Sequence, residues 1–158
     1  MSKKQFLPIA IDVTDKKILI IGGGEDAYKK LKILQRSTNL IEIIAPKIIS
    51  WIKNSGIVYH EQQYHKDFLK DYYLIYSCVD DPSFVKQLIR DCRDVNVLLN
   101  VHDQPEFCEF VSPAIYKREN ISIAVSSNGE DVYKSIQIRN QLKDYFENYR
   151  LQKLLIAN

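Results

Sequence analysis

A short apolar run that ends in three glycines and leads into a helix-like segment constrains this chain most. Lys17-Ile18-Leu19-Ile20-Ile21 reads as a strand buried on both faces, and Gly22-Gly23-Gly24 ends it. Residues 25–36 carry Ala27, Leu31 and Leu34 at helical spacing behind Glu25 and Asp26, acids that suit the positive end of a helix dipole. The turn fits G-x-G-x-x-A, with Gly22, Gly24 and Ala27 in the small positions. The first glycine permits the tight turn, the second lets backbone approach a pyrophosphate, and the third small residue brings helix and strand together. Phosphate oxygens accept hydrogen bonds from the N–H groups of such a helix start. With a strand before it and a helix after it, the motif points to a dinucleotide; the alternative is an ordinary strand-to-helix turn.

The alternation continues for about a hundred residues. Residues 40–45 read as a second strand closed by Pro46, residues 47–54 as a short helix, and residues 57–60 as a short strand. Residues 72–78 make another strand, followed by Asp80-Asp81-Pro82, which suits a helix start with proline in its first turn. Phe84, Leu88, Ile89 and Cys92 give that helix one apolar face, and residues 95–101 form the next strand. Strands separated by helices predict βαβ units, hence an α/β fold with a parallel sheet. One usual part is missing. The second strand ends in Ile44-Ala45-Pro46-Lys47, without an acid for the ribose, and Glu42 comes too early. Adenosine recognition then falls to backbone groups or to Lys47, which also suits a 2′-phosphate, so NAD and NADP both stay open.

After residue 105 the pattern changes. Residues 111–116 and 121–126 read as two strands around Lys117-Arg118-Glu119-Asn120, a hairpin. From Asp131 the chain reads as one long helix with a stripe of Val132, Ile136, Leu142, Tyr145 and Tyr149. A hairpin and one helix bury little alone, and docking on a second subunit would cover them. The expected division is a cofactor-binding domain over residues 1–110 and a second region over residues 111–158, which docking on a partner subunit would cover and to which the resemblance given below assigns dimerisation and substrate.

Composition removes several classes. The chain has 158 residues, 46% hydrophobic and 27% charged, with 5 Gly and 5 Pro, which fits one ordinary globular chain rather than a collagenous or disordered one. Lys plus Arg is 22 against 20 for Asp plus Glu, so no nucleic-acid footprint is read. No apolar run reaches the roughly 18 residues of a membrane span, and no signal peptide is read. Cys78, Cys92 and Cys108 are odd in number and lack C-x-x-C spacing, which favours a reducing, cytoplasmic setting.

Phe6-Leu7-Pro8-Ile9, then IIGGGEDAYKK, IEIIAP, VDDPSFV, NVHDQPEFCEFVSPAI and ISIAVSSNG follow one another in order. This series resembles the precorrin-2 dehydrogenase family, free-standing or as the N-terminal half of siroheme synthases, from about residue 6 to about residue 148. The resemblance implies a Rossmann-type sheet followed by a dimerisation region, and a homodimer. It implies NAD-dependent oxidation of precorrin-2 to sirohydrochlorin, and in some members insertion of ferrous iron. Cofactor positions carry over to Gly22, Gly23, Gly24, Glu25 and Asp26, to Pro46 and Lys47, and to Asp80 in the family's Thr-Asp-Asp segment, where Val79 replaces the threonine. The catalytic aspartate of the family's Asn-Val-x-Asp segment carries over to Asp103. Ser126, Ser127 and Asn128 match its Ser-x-Gly-Gly segment, with Asn128 in place of a glycine, and are candidates for substrate carboxylates.

The residues themselves agree on Asp103. It follows a strand that ends at Val101, at the carboxyl end of the sheet where ligands bind in such folds. A carboxylate there can take a proton while a hydride leaves, and such a base is worth roughly 10²–10⁴ in rate. The alternative is a capping Asp before the Gln104-Pro105 turn. His102, next along a strand, is expected on the opposite face and in a structural role. His60 and His65 are read as surface residues, and Cys108 as a small buried thiol. Lys117, Arg118, Lys134, Arg139 and Lys143 are cations that could meet a polycarboxylate, though a solvated face is the plainer reading for most. Ser126–Asn128 could equally be a loop capping the long helix. Asp131-Val132 stands where the family has Ser-Pro, and the chain ends at Asn158, short of many members' helical tail. That departure motivates the alternative function, an NAD-binding regulatory module without catalysis.

Overall fold

The computed structural model describes residues 4–148. They form two compact units: Ile9–Phe110, and the described residues 4–8 together with 111–148.

The first unit is a five-stranded parallel sheet. Its strands are β1 (Ile18–Ile21), β2 (Ile41–Ala45), β3 (Val58–Glu61), β4 (Leu74–Ser77) and β5 (Leu98–Val101), in the order β3-β2-β1-β4-β5. This is the Rossmann order, and its switch point lies between β1 and β4. The central strands are continuous apolar runs because both faces are covered. All four residues of β1 are buried, and burying each Ile or Leu side chain contributes roughly 1.5–3 kcal/mol. Helices α1 (Glu25–Leu34) and α2 (Ser50–Lys53) bury Ala27, Leu31 and Ile52 in one cluster with Ile18, Ile20, Ile41 and Ile43. Strand alternation points Leu19, Ile44 and Ile75, all fully buried, to the other face.

Helix α3 (Pro82–Val95) packs on β5 and on a 3-10 turn at Lys66–Asp71. Its buried stripe is Val85, Leu88 and Cys92, so Leu88 and Cys92 of the expected face are buried, while Phe84 and Ile89 are half-buried at its margins. Asn96, with φ 58°, ends α3 in the left-handed region, so β5 starts at Leu98 rather than at residue 95. Asparagine tolerates that conformation better than most residues.

The second unit pairs β6 (Ala114–Arg118) with β7 (Ile121–Val125) as an antiparallel hairpin that turns at Glu119-Asn120. Helix α4 (Val132–Asn148) packs on both strands, and Arg139 Nη1 donates to the Ile115 carbonyl at 2.8 Å. Of the expected stripe, Ile136 and Leu142 are half-buried, Val132 and Tyr145 are exposed, and Tyr149 lies outside the described residues. Ser135 is the buried residue of the helix, its hydroxyl donating to the Asp131 carbonyl at 3.0 Å. The Asn128 carboxamide brackets the N-terminal segment, accepting from Phe6 N and donating to Lys4 O, each at 2.7 Å. Among the described residues no helix is long and apolar enough to cross a membrane.

Candidate active site

The glycine turn is built by close approach. Gly22 has φ 129°, and a Cβ there would meet the Cys78 carbonyl oxygen at 2.9 Å. Gly23 is tighter. A Cβ on it would meet the Lys47 carbonyl oxygen at 2.0 Å, and Ile49 N donates to Gly23 O at 2.9 Å. The middle glycine, a free position in the motif, therefore locks the loop after β1 onto the loop after β2. Gly24 is different, because a Cβ there meets no atom within 4 Å. As the N-cap of α1 it supplies no side-chain acceptor to the first-turn N–H groups. Open space over uncapped amides fits a pyrophosphate. Two acids stand beside it, and Asp26 is offset by Lys29 at 2.8 Å, whose hydrogen bond holds the carboxyl below its usual range.

Pro46 and Lys47 follow β2 directly and are exposed. Glu42 is committed to neighbouring side chains. It accepts from Lys17 Nζ, His60 Nε2 and Tyr72 OH, each at 2.8 Å. Burial pushes its carboxyl up, but the three donors outweigh that and hold it at about 2. His60 is thus a half-buried partner rather than a surface residue, whereas His65 is exposed and caps the 3-10 turn by accepting from Asp67 N.

Around Cys78, at the carboxyl end of β4, the loops converge. Burial pushes this thiol up to about 11; Lys30 opposes the rise, while Asp26, Asp80 and Asp103 add to it. Three sequence-derived site carboxylates therefore lie within electrostatic reach of one sulfur. Asp80 is exposed, and its neighbour Asp81 caps α3 by accepting from Ser83 N and Phe84 N. Sequence reasoning missed Lys30. Its ammonium lies 4.9 Å from the Tyr76 ring centroid, with its pKa lowered by burial against the pull of Cys78, Cys108 and Asp103. The available signal was its place three residues after buried Ala27, on the flank of α1.

Asp103 sits in a turn over Val101–Gln104, closed by Gln104 N donating to Val101 O at 3.3 Å. Its φ is 55°, a left-handed conformation that costs a non-glycine residue roughly 1–2 kcal/mol. Such strain persists only where the surroundings over-determine it. Here Cys108 does so: its sulfur accepts from Val101 N at 3.1 Å and lies 3.2 Å and 3.3 Å from the carbonyl oxygens of Val101 and Gln104, to which the thiol donates. Asn100 Nδ2 donates to Phe110 O at 2.9 Å and anchors the same segment. The turn also breaks strand alternation. His102 Nε2 lies 3.6 Å from Asp103 Oδ2, not on the opposite face.

In the second unit, Ser127 Oγ accepts from Asp131 N at 2.9 Å and donates to Asp131 O at 2.8 Å. Asp131 Oδ1 accepts from Lys134 N at 2.8 Å, so the residue that departs from the family pattern caps α4. Ser126 Oγ accepts from Asn128 N at 3.3 Å.

A family profile described as "Putative NAD(P)-binding" matches residues 9–114. The chain is 32% identical to a siroheme synthase of Ruthia magnifica subsp. Calyptogena magnifica over 142 residues, which is 87% of this chain and 30% of that protein. It is 32% identical to a siroheme synthase of Nitrosococcus oceani over 129 residues, 79% of this chain and 28% of that protein. The chain thus spans about 30% of the length of these curated relatives. Among solved structures, "SirC, precorrin-2 dehydrogenase" shares the fold with a TM-score of 0.75 at 19% identity, covering 91% of this chain and 71% of that one. With a glycine turn fit for pyrophosphate at the switch point of a Rossmann sheet, and a profile match over more than half of its length, the chain belongs to the NAD(P)-binding family.

Proposed function

We propose that the chain is an NAD-dependent precorrin-2 dehydrogenase, producing sirohydrochlorin. The observation that carries this reading is Asp103, held in a left-handed turn at the carboxyl end of β5, within electrostatic reach of the same sulfur as Asp26 and Asp80. The likeness to siroheme synthases over most of this chain supports the substrate assignment.

The nicotinamide, when bound, supplies the hydride acceptor. This chain's residues do the rest. The Gly22–Asp26 turn binds the pyrophosphate with first-turn amides. Pro46 and Lys47 flank the adenosine, and Asp80 is a further cofactor-binding residue. Asp103 takes the proton that leaves the macrocycle. Of the three residues proposed for substrate carboxylates, Ser126 Oγ, already an acceptor, keeps its proton to donate, whereas the Ser127 hydroxyl donates to Asp131 O and the Asn128 carboxamide is engaged with Lys4 O and Phe6 N. The hairpin and α4 form a homodimer interface, on the strength of exposed Val132, Tyr133, Ile138 and Tyr145. A cytoplasmic location belongs to the same reading, supported by an odd number of cysteines without C-x-x-C spacing.

The test is a spectrophotometric assay with NAD+ and precorrin-2. Sirohydrochlorin and NADH should appear together, and Asp103→Ala should stop both while retaining NAD+ binding. Undiminished turnover by that variant would overturn the role of Asp103. Cofactor binding without any oxidation by the wild type would favour the regulatory module instead.

A further inference from the structure

We propose that His102 is a positioning residue that ties the proton acceptor Asp103 to the cofactor turn through Asp26. The inference rests on the dehydrogenase reading given above. One ring nitrogen faces both carboxylates: His102 Nε2 is 3.6 Å from Asp103 Oδ2 and 3.9 Å from Asp26 Oδ1. Asp26 is itself bonded to Lys29 at 2.8 Å, so a chain of alternating groups runs Lys29–Asp26–His102–Asp103 from α1 to the loop after β5.

The backbone makes this arrangement rigid on one side only. His102 N donates to Ser77 O at 2.9 Å, extending the β5 ladder by one residue and fixing where the ring starts. The ring is 31% exposed, whereas the Asp103 side chain is 79% exposed. A carboxylate so open to water has several rotamers available, and selecting one costs entropy. The half-buried ring beside it selects the rotamer that faces the glycine turn. At 3.6 Å and 3.9 Å the contacts are longer than hydrogen bonds, yet close enough for a polar Nε2–H to attract both carboxylates. Catalytic contacts of this kind commonly shorten when ligands close the site. Other charged groups near this cluster are Lys29 and Lys30 on α1, which both sense Asp103, and Asp80 beside Cys78.

In the reaction, precorrin-2 is oxidised and NAD+ reduced. One C–H of the macrocycle gives its bond pair and hydrogen to NAD+ as hydride, and a second C–H or N–H gives its proton to Asp103 and leaves its bond pair in the new double bond. His102 forms no bond in that step. Its contribution is the place of the accepting oxygen relative to the bound cofactor.

His102→Val and His102→Gln separate this role from packing, because glutamine keeps an N–H at the end of a side chain of similar reach. In His102→Val, kcat should fall about tenfold or more while KM for NAD+ stays within about twofold. His102→Gln should recover most of that loss, and both variants should bind NAD+ as the wild type does. Wild-type kcat in His102→Val, or equal losses in the two variants, would overturn the proposal. A second readout needs no turnover. The carbon-bound ring proton of His102, observed by NMR, should move in Asp26→Asn and in Asp103→Asn; a signal that fails to move in either variant overturns the bridge. A wild-type chain that binds NAD+ yet leaves precorrin-2 unchanged counts against the proposed function, and the ring signal then decides the bridge by itself.

Discussion

Gly23 and Lys47 are in such close contact that a single added methyl on the glycine would come within 2.0 Å of the lysine carbonyl oxygen. Two loops that follow neighbouring parallel strands are thereby joined backbone to backbone. Because the contact involves main chain on each side, no rotamer change can relieve it.

Gly23→Ala should therefore destabilise the chain, by about 1–3 kcal/mol or more, as for other forced overpacking. Gly24→Ala, one residue on, meets open space and should change stability by less than about 1 kcal/mol, while blocking the approach of a pyrophosphate. Thermal melts with parallel NAD+ titrations should show a lowered midpoint in the first variant. In the second they should show a near-native midpoint with affinity weakened on the order of tenfold.

Asp103 carries backbone strain together with the chemistry proposed for it. Glycine accepts φ 55° without penalty, so Asp103→Gly should keep or raise stability by up to roughly 1 kcal/mol while turnover falls on the order of 10²–10⁴. Denaturant unfolding and steady-state kinetics on one preparation check this. A variant both less stable and inactive would show that the side chain holds the turn.

Cys108→Ala removes the acceptor of Val101 N and the donor shared by two carbonyls in a buried place. The expected loss is about 1–3 kcal/mol from unsatisfied backbone groups, with slower turnover because the turn carrying Asp103 loosens. Cys108→Ser, which can replace both roles, should lose less. Urea unfolding of the two variants distinguishes them.

Glu42 makes stability sensitive to acid. Its carboxyl, ordinarily near 4.5, is held at about 2 in the fold. The stabilisation is complete above pH 4.5 and is lost as pH falls toward 2, where the folded state also takes up the proton. It is worth on the order of 2 kcal/mol, given partial exposure of the group and its partners. Glu42→Gln should lower the melting temperature at pH 7 and flatten its fall between pH 5 and pH 2.

Local pattern determined much of this protein. The apolar runs ending at Ile21 and Ala45, the helix starts at Glu25 and Pro82, and a C-terminal hairpin were legible, because each depends on neighbours in sequence, whereas the strand read to Cys78 ends at Ser77 and the turn read over residues 117–120 narrows to Glu119-Asn120. The glycine turn was legible for the same reason, since the positive φ at Gly22 and the amide array after Gly24 are local properties, although the close approach at Gly22 comes from Cys78. What tertiary structure decided was contact between segments far apart in the chain. The demand on Gly23 comes from Lys47, the depressed carboxyl of Glu42 from Lys17, His60 and Tyr72, and the shape of the Asp103 turn from Cys108. His102 shows the limit plainly. Alternation would turn it away from Asp103, but a left-handed residue after the strand end redirects the chain, and no period in the sequence records a sign change in φ.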